Sequence, residues 1–181
     1  KASQENTRVF FIESLGNPKL DVLDIEAISK EANAYKLPLI VDNTVATPYL
    51  LNPIDHGANI VIQSLTKYIN GNGTALGGAI IDAGTFDWGS GKFPEFTEPS
   101  AGYHGLIYNE VIGDASFIAK VRIEGLRDYG AALSPFNAFQ IIQGLETLEV
   151  RIQKHSENAL QLAEWLEKED IVEWVNYPGL L

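Results

Sequence analysis

Two apolar runs in this sequence end abruptly in groups that could do chemistry. Leu39–Val41 delivers Asp42, within LIVDNTVATPYL, and Ile60–Gln63 delivers Ser64, Thr66 and Lys67, within VIQSLTKYINGNG. Short apolar runs bounded by polar residues read as buried strands. In open α/β sheets ligands bind beyond the carboxyl ends of the strands, which is where both groups of residues fall. Asn17 lies just past a third run, Arg8–Ser14 (RVFFIES), and joins the others if the strands are parallel. The set is then one carboxylate, two hydroxyls, one amine and one amide.

Four chemistries could use that set. A metal centre wants converging carboxylates or histidines, whereas His56, His104 and His155 are scattered over turn, loop and helix. A phosphate loop needs its glycines before the lysine, but GNGTALGG follows Lys67. A nucleotide-binding domain therefore stays only as the alternative from another class. Serine hydrolysis needs a glycine-flanked elbow, and Ser64 sits between Gln63 and Leu65. Pyridoxal phosphate uses each group. A lysine forms a Schiff base with the aldehyde and moves protons at substrate carbons. A carboxylate keeps the pyridine nitrogen protonated, hydroxyls beside the lysine reach the phosphate, and an amide donates to the phenolate oxygen. On the residues alone a bland reading stands beside this one: lysines are mostly solvated, and strand-end aspartates often just close turns.

The elements that must position these groups follow a strand, helix, strand, crossover, strand rhythm. Asp24 reads as the N-cap of a helix over IEAISKEANAYK, with Ile25, Ile28 and Ala32 on one face. Ala75–Ile81 reads as a further strand. Such a rhythm implies an α/β fold with a buried, mostly parallel sheet. Gly84–Gly105 has neither period, and a loop of that length is either an exposed insertion, a functional loop or cover for a partner surface. Tyr108–Leu126 reads as one helix, and Ser134 caps another with Pro135 in its first turn. Glu146–Lys168 is amphipathic through Leu148, Ile152, His155, Ala159, Leu162 and Leu166, and IVEWVNYP then begins a strand.

Bulk properties limit the partners. A chain of 181 residues is long enough for one sizeable core. Its net charge of −11 argues against nucleic acid or an anionic membrane surface as partner. No run approaches the roughly 20 apolar residues of a membrane span. With no cysteine, disulfides and thiolate metal sites are excluded, which fits a reducing, cytoplasmic setting. The chain opens on KASQENTRVFFIES, without methionine, and stops after VNYPGLL, so it reads as a central piece of a longer protein.

Three stretches carry a resemblance to a known family. ESLGNP, VDNTVATPYLLNPIDHGANIVIQSLTKYINGNGTALGGAIID and SPFNAFQIIQGLETLEVRIQKHSENA resemble the pyridoxal-phosphate enzymes of cysteine and methionine metabolism. The S-x-T-K-Y segment after D-N-T is similar to that family's cofactor motif. GGAIIDAGTFDW, GKFPEFTEPSAGYHG and LRDYGAALSPFNAFQ resemble its O-acetylhomoserine sulfhydrylase branch.

The resemblance implies Lys67 as the Schiff-base lysine and Asp42 as partner of the pyridine nitrogen. It also implies Ser64 and Thr66 on the phosphate, and Asn17 at the ring oxygen. The implied fold is the large domain of the aspartate aminotransferase type, a mostly parallel seven-stranded sheet with helices on both faces. Residues 1–145 would be part of that domain, and 146–181 a long connecting helix and the start of a C-terminal domain. The implied activity is γ-replacement: O-acetyl-L-homoserine and sulfide, or a small thiol, give L-homocysteine and acetate in a homotetramer of site-sharing dimers. Cystathionine γ-synthase, cystathionine lyase and methionine γ-lyase share that chemistry. The family's glycine-rich phosphate turn, stacking tyrosine and carboxylate-binding arginine lie outside residues 1–181, so the chain by itself is expected not to turn over.

Overall fold

The computed structural model describes residues 3–180. Strands β1 (Phe10–Glu13), β2 (Leu39–Asp42), β3 (Ile60–Ser64) and β4 (Gly78–Asp82) form one sheet in that order. The pairs β1–β2 and β2–β3 are parallel, and β4 runs antiparallel to β3. The sheet is thus mostly parallel, as the rhythm of the sequence predicts. Register places Glu13 opposite Asp42, and Ser64 opposite Gly78. The carboxyl ends of β1, β2 and β3 therefore share one edge of the sheet.

One face is covered by α1 (Ile25–Ala34). Asp24 starts this helix, its Oδ1 accepting the Ala27 N–H at 2.9 Å, which satisfies one of the orphan donors of the first turn. Buried Ile25 and Ala32, with partly buried Ile28, pack on Leu39, Val41 and Val61. This is the face that the spacing of the sequence predicts.

The other face is covered by the segment without period. Phe86, Trp88, Phe93 and Phe96, the last two at and within α3 (Pro94–Thr97), are buried against Ile60, Leu37 and Tyr108. Trp88 packs 4.5 Å from Phe96 and stacks on Phe117 at 5.2 Å, centroid to centroid. Burying an aromatic side chain of about 150–250 Å² gives roughly 4–6 kcal/mol of gross transfer free energy. Gly84–Gly105 is therefore a packing layer and not an exposed insertion.

The expected single helix over Tyr108–Leu126 is broken. It comprises α4 (Tyr108–Ile112), a 3₁₀ turn, α5 (Ser116–Lys120) and a π-helical turn, Val121–Leu126, with α6 (Arg127–Tyr129) following. Gly113 makes the break, at φ 66° and ψ −131°, a region that only glycine enters without strain. The π-helical turn carries Glu124 into a partly buried network. Its carboxylate accepts from Lys120 Nζ at 2.7 Å and from Tyr108 and Ser100 hydroxyls, each at 3.0 Å. The Lys120 hydrogen bond holds the Glu124 carboxyl below its ordinary range, against the opposing effect of burial. Burial, and then the hydrogen bond to Glu124, push the Tyr108 phenol up to about 12.

A short α2 (Thr47–Leu50) follows β2, and α7 (Pro135–Leu145) and α8 (Leu148–Leu166) close the chain. Ser134 caps α7 through its Oγ, which accepts the Asn137 N–H at 3.1 Å. On α8 the buried residues are Leu148, Ile152 and Ala163. His155 is exposed and Leu162 is 54% exposed. At 100° per residue, the line from Leu148 through Ile152 reaches Ala163, and Leu162 is rotated off it.

Three strand expectations change. RVFFIES forms an edge strand among the described residues, pairing only with β2, and Phe11 is 56% exposed. The fourth strand begins at Gly78 instead of Ala75, because the Ala75 carbonyl accepts from the buried Asn70 amide at 3.2 Å. IVEWVNYP forms no strand: it pairs with none of the four, and Ile171 is 93% exposed. An apolar run becomes a strand only where another edge satisfies its backbone. Among the described residues no helix is long and apolar enough to cross a membrane.

Candidate active site

The three residues that end β2 and follow it brace the ends of three strands. Asp42 Oδ1 accepts the Thr44 N–H at 2.9 Å, closing a tight turn. Thr44 Oγ1 accepts the Ser64 N–H at 2.8 Å, tying this turn to the end of β3. Between them Asn43 is fully buried. Its N–H donates to Ile62 O at 2.9 Å, and its side-chain amide donates to Leu51 O at 2.8 Å. Its Oδ1 accepts the Ser14 hydroxyl at 2.7 Å, which reaches the end of β1. Buried polar groups persist where they are paired in this way, and the result is a rigid strand-end platform.

Lys67 follows β3 in a compact turn. Its N–H donates to Ser64 O at 3.2 Å, Asn70 N–H to Leu65 O at 2.9 Å, and Gly71 N–H to Lys67 O at 2.8 Å. Thr66 turns its hydroxyl to the residue just before β4, donating to Gly77 O at 3.2 Å and accepting from Gly77 N–H at 3.0 Å. A phosphate oxygen could take the Thr66 proton only if the hydroxyl rotated, leaving the Gly77 N–H bond in place. Asn17 is anchored through its backbone, its N–H donating to Glu13 Oε2 at 3.0 Å.

A cavity of about 510 Å³ opens at this edge, lined by Asn17, Leu20, Thr44, Val45, Lys67 and Tyr68 among others. Of the five residues singled out in the sequence, Asn17 and Lys67 are on its wall. Asp42, Ser64 and Thr66 lie at the strand ends beside it, within the braced turns and not on the wall. Sequence reasoning missed Thr44 and Tyr68. Their signal was adjacency: Thr44 completes D-N-T, and Tyr68 directly follows the lysine.

The donor set fits pyridoxal phosphate. The cavity is within the roughly 300–1,000 Å³ range of small-molecule sites. Its lining includes a lysine, Lys67, and an amide residue, Asn17. Among the described residues the Asp42 side chain accepts one hydrogen bond, at Oδ1, which leaves its second oxygen without a protein partner. No group of three or more His, Cys, Asp or Glu residues with metal-binding geometry occurs among the described residues.

Comparison with known proteins gives the same picture. The chain is 56% identical to an O-acetyl-L-homoserine sulfhydrylase of Leptospira meyeri, over 99% of this chain and 42% of that protein. It is 49% identical to a homocysteine synthase of Schizosaccharomyces pombe, over 97% and 42%. Among solved structures it superposes with a TM-score of 0.93 on a provisionally named O-acetylhomoserine (thiol)-lyase of Campylobacter jejuni. That structure carries N'-pyridoxyl-lysine-5'-monophosphate, and the match is at 44% identity over 99% of this chain and 44% of that one. An O-acetylhomoserine sulfhydrylase of Wolinella succinogenes superposes with a TM-score of 0.85 at 38% identity, over 99% of this chain and 48% of that one. The chain thus spans a little under half the length of the proteins it matches. Residues 1–181 match the family of Cys/Met metabolism PLP-dependent enzymes throughout, and the chain belongs to that family.

Proposed function

We propose that this chain forms the lysine-bearing part of an active site that exchanges the acetyl-oxygen substituent of O-acetyl-L-homoserine for sulfur. O-acetyl-L-homoserine and sulfide give L-homocysteine and acetate: the γ-carbon–oxygen bond breaks, and a γ-carbon–sulfur bond forms. The observation that carries this proposal is the meeting of Lys67, Asn17 and the Asp42 turn at one sheet edge around a single cavity. The choice of branch rests on the 56% identity to the Leptospira meyeri sulfhydrylase.

When bound, pyridoxal phosphate supplies an electron sink for the pair left at the substrate α-carbon. Lys67 holds the cofactor's aldehyde carbon and then moves the α-proton. Asp42 holds a proton on the pyridine nitrogen, and the Thr44 N–H fixes the orientation of its carboxylate. Ser64 and Thr66 donate to the phosphate, Thr66 by rotating its hydroxyl proton away from the Gly77 carbonyl. Asn17 donates its side-chain amide to the phenolate oxygen. Residues 1–145 act as part of the cofactor-binding domain, and 146–181 as the connecting helix leading to a further domain. The setting is cytoplasmic and the assembly a homotetramer; the exposed apolar residues Phe136 and Phe139 of α7 are suited to a contact surface.

The test is a product assay on the full-length protein with O-acetyl-L-homoserine, offering sulfide and cysteine in turn. Homocysteine from sulfide, faster than cystathionine from cysteine, is the expected result. Cystathionine as main product, or 2-oxobutyrate without either thioether or thiol product, overturns the branch assignment.

A further inference from the structure

We infer that Arg151 is a positioning residue for Lys67, acting from α8 through the backbone of the lysine turn. This rests on the reading of Lys67 given above. The side chain of Arg151 reaches out of α8 and spends its guanidinium on backbone. One terminal nitrogen donates to Tyr68 O at 2.7 Å, and the other to Gly144 O at 2.8 Å and Ile69 O at 3.4 Å. Nε donates to Thr147 Oγ1 at 3.0 Å, which aims the fork. The two residues directly after Lys67 are thereby fastened to the α7–α8 corner, 83 positions away in sequence.

Surrounding contacts give the fork little room. Gly71 has φ +72°, and a Cβ there would run into the Arg151 guanidinium. A Cβ on Gly144 would run into the Asn70 carbonyl oxygen, so α7 approaches the lysine turn backbone to backbone. Buried Leu148 and Ile152, one helical turn apart around Arg151, pack with Ile69 of the same turn and with Ala75 beyond it. On the far side the turn hangs from β3 through Ser64 O. Remove the fork, and the backbone bonds of Lys67 to Ser64 and Gly71 and the apolar contact remain, but the carbonyls of Tyr68 and Ile69 lose their donors. The segment just after Lys67 is then less firmly held, and the lysine side chain is less precisely aimed. A planar five-donor group serves three carbonyls here, where a lysine ammonium would serve one or two.

Full-length holoenzyme carrying Arg151→Ala is expected to lose about 10–100-fold in kcat, as misplacement of a reacting group does. KM should stay within about threefold, because Asn17 and Thr44 are held by β1 and β2, which Arg151 does not touch. Arg151→Lys is expected to recover part of the loss and Arg151→Gln less. A second readout needs no turnover: amide hydrogen exchange in residues 65–71 should quicken in Arg151→Ala, with residues 39–42 unchanged. Borohydride trapping of the cofactor separates the two levels of inference. Trapping away from Lys67 in the wild type overturns the assignment of Lys67, and this inference with it. Trapping on Lys67 with wild-type kcat and wild-type exchange in Arg151→Ala overturns the role of Arg151 alone. Loss of kcat with exchange raised equally across the sheet also overturns it, since that marks a general loss of structure.

Discussion

Replacing Asp42 by asparagine separates charge from shape at the candidate site. The amide keeps an oxygen where Oδ1 accepts the Thr44 N–H at 2.9 Å, so the turn that braces β2 against β3 survives. What is lost is the negative charge that the proposed role sets beside the ring nitrogen. Two unit charges about 4 Å apart attract by roughly 4 kcal/mol at an effective dielectric constant near 20. Removing one preorganised electrostatic partner elsewhere costs about 2.7–4 kcal/mol in the transition state. Asp42→Asn in the full-length protein is therefore expected to lower kcat by roughly 100–1,000-fold with the cofactor still bound. The assay is homocysteine formation from O-acetyl-L-homoserine and sulfide at saturating cofactor, with bound cofactor measured by its visible absorption. A fall of less than about tenfold, or 1.4 kcal/mol, with the cofactor fully bound would refute the role given to the carboxylate.

Other substitutions probe the scaffold around it. Thr44→Val keeps the shape but leaves the Ser64 N–H without its acceptor, so an unfolding midpoint in urea should drop by the equivalent of about 1–3 kcal/mol. Gly144→Ala forces α7 off the Asn70 carbonyl, and its thermal midpoint should fall by the equivalent of about 1–3 kcal/mol, the usual cost of overpacking. Tyr108 titrates at about 12 in the fold against about 10 unfolded, so the unfolded chain loses its proton first as pH rises. Its contribution is intact below pH 10 and is lost between pH 10 and about 12, by roughly 1.4 kcal/mol per pH unit. Tyr108→Phe should flatten that alkaline decline in a pH series of urea melts, and an unchanged slope would count against the Tyr108–Glu124 network.

Legibility from sequence followed the range of the forces involved. The ends of β2 and β3 could be read because apolar runs stop where polar chemistry starts, and the caps Asp24 and Ser134 because capping is local. Of the candidate site, the sequence places Lys67 and Asn17 at one cavity, whereas Asp42, Ser64 and Thr66 are not on its wall. Long-range packing was not legible. Nothing periodic marks Phe86, Trp88, Phe93 and Phe96 as a layer, because each is placed by the sheet face it covers and not by its neighbours in sequence. The break at Gly113 hides inside a helical pattern, since only the backbone angle distinguishes that glycine from one that a helix tolerates. The partner of Thr66, Gly77, depended on where β4 begins, and that was decided by the buried side chain of Asn70. The Arg151 fork spans elements that no local rule connects.

One measurement bears most directly on the account. The full-length protein is loaded with pyridoxal phosphate, reduced with borohydride, digested, and the modified peptide located by mass. A stoichiometric pyridoxyl group is expected on Lys67, and none when Lys67 is replaced by arginine. Modification on another lysine, or spread over surface lysines, would contradict the assignment of the cavity between Asn17 and Lys67 as the place where the chemistry occurs.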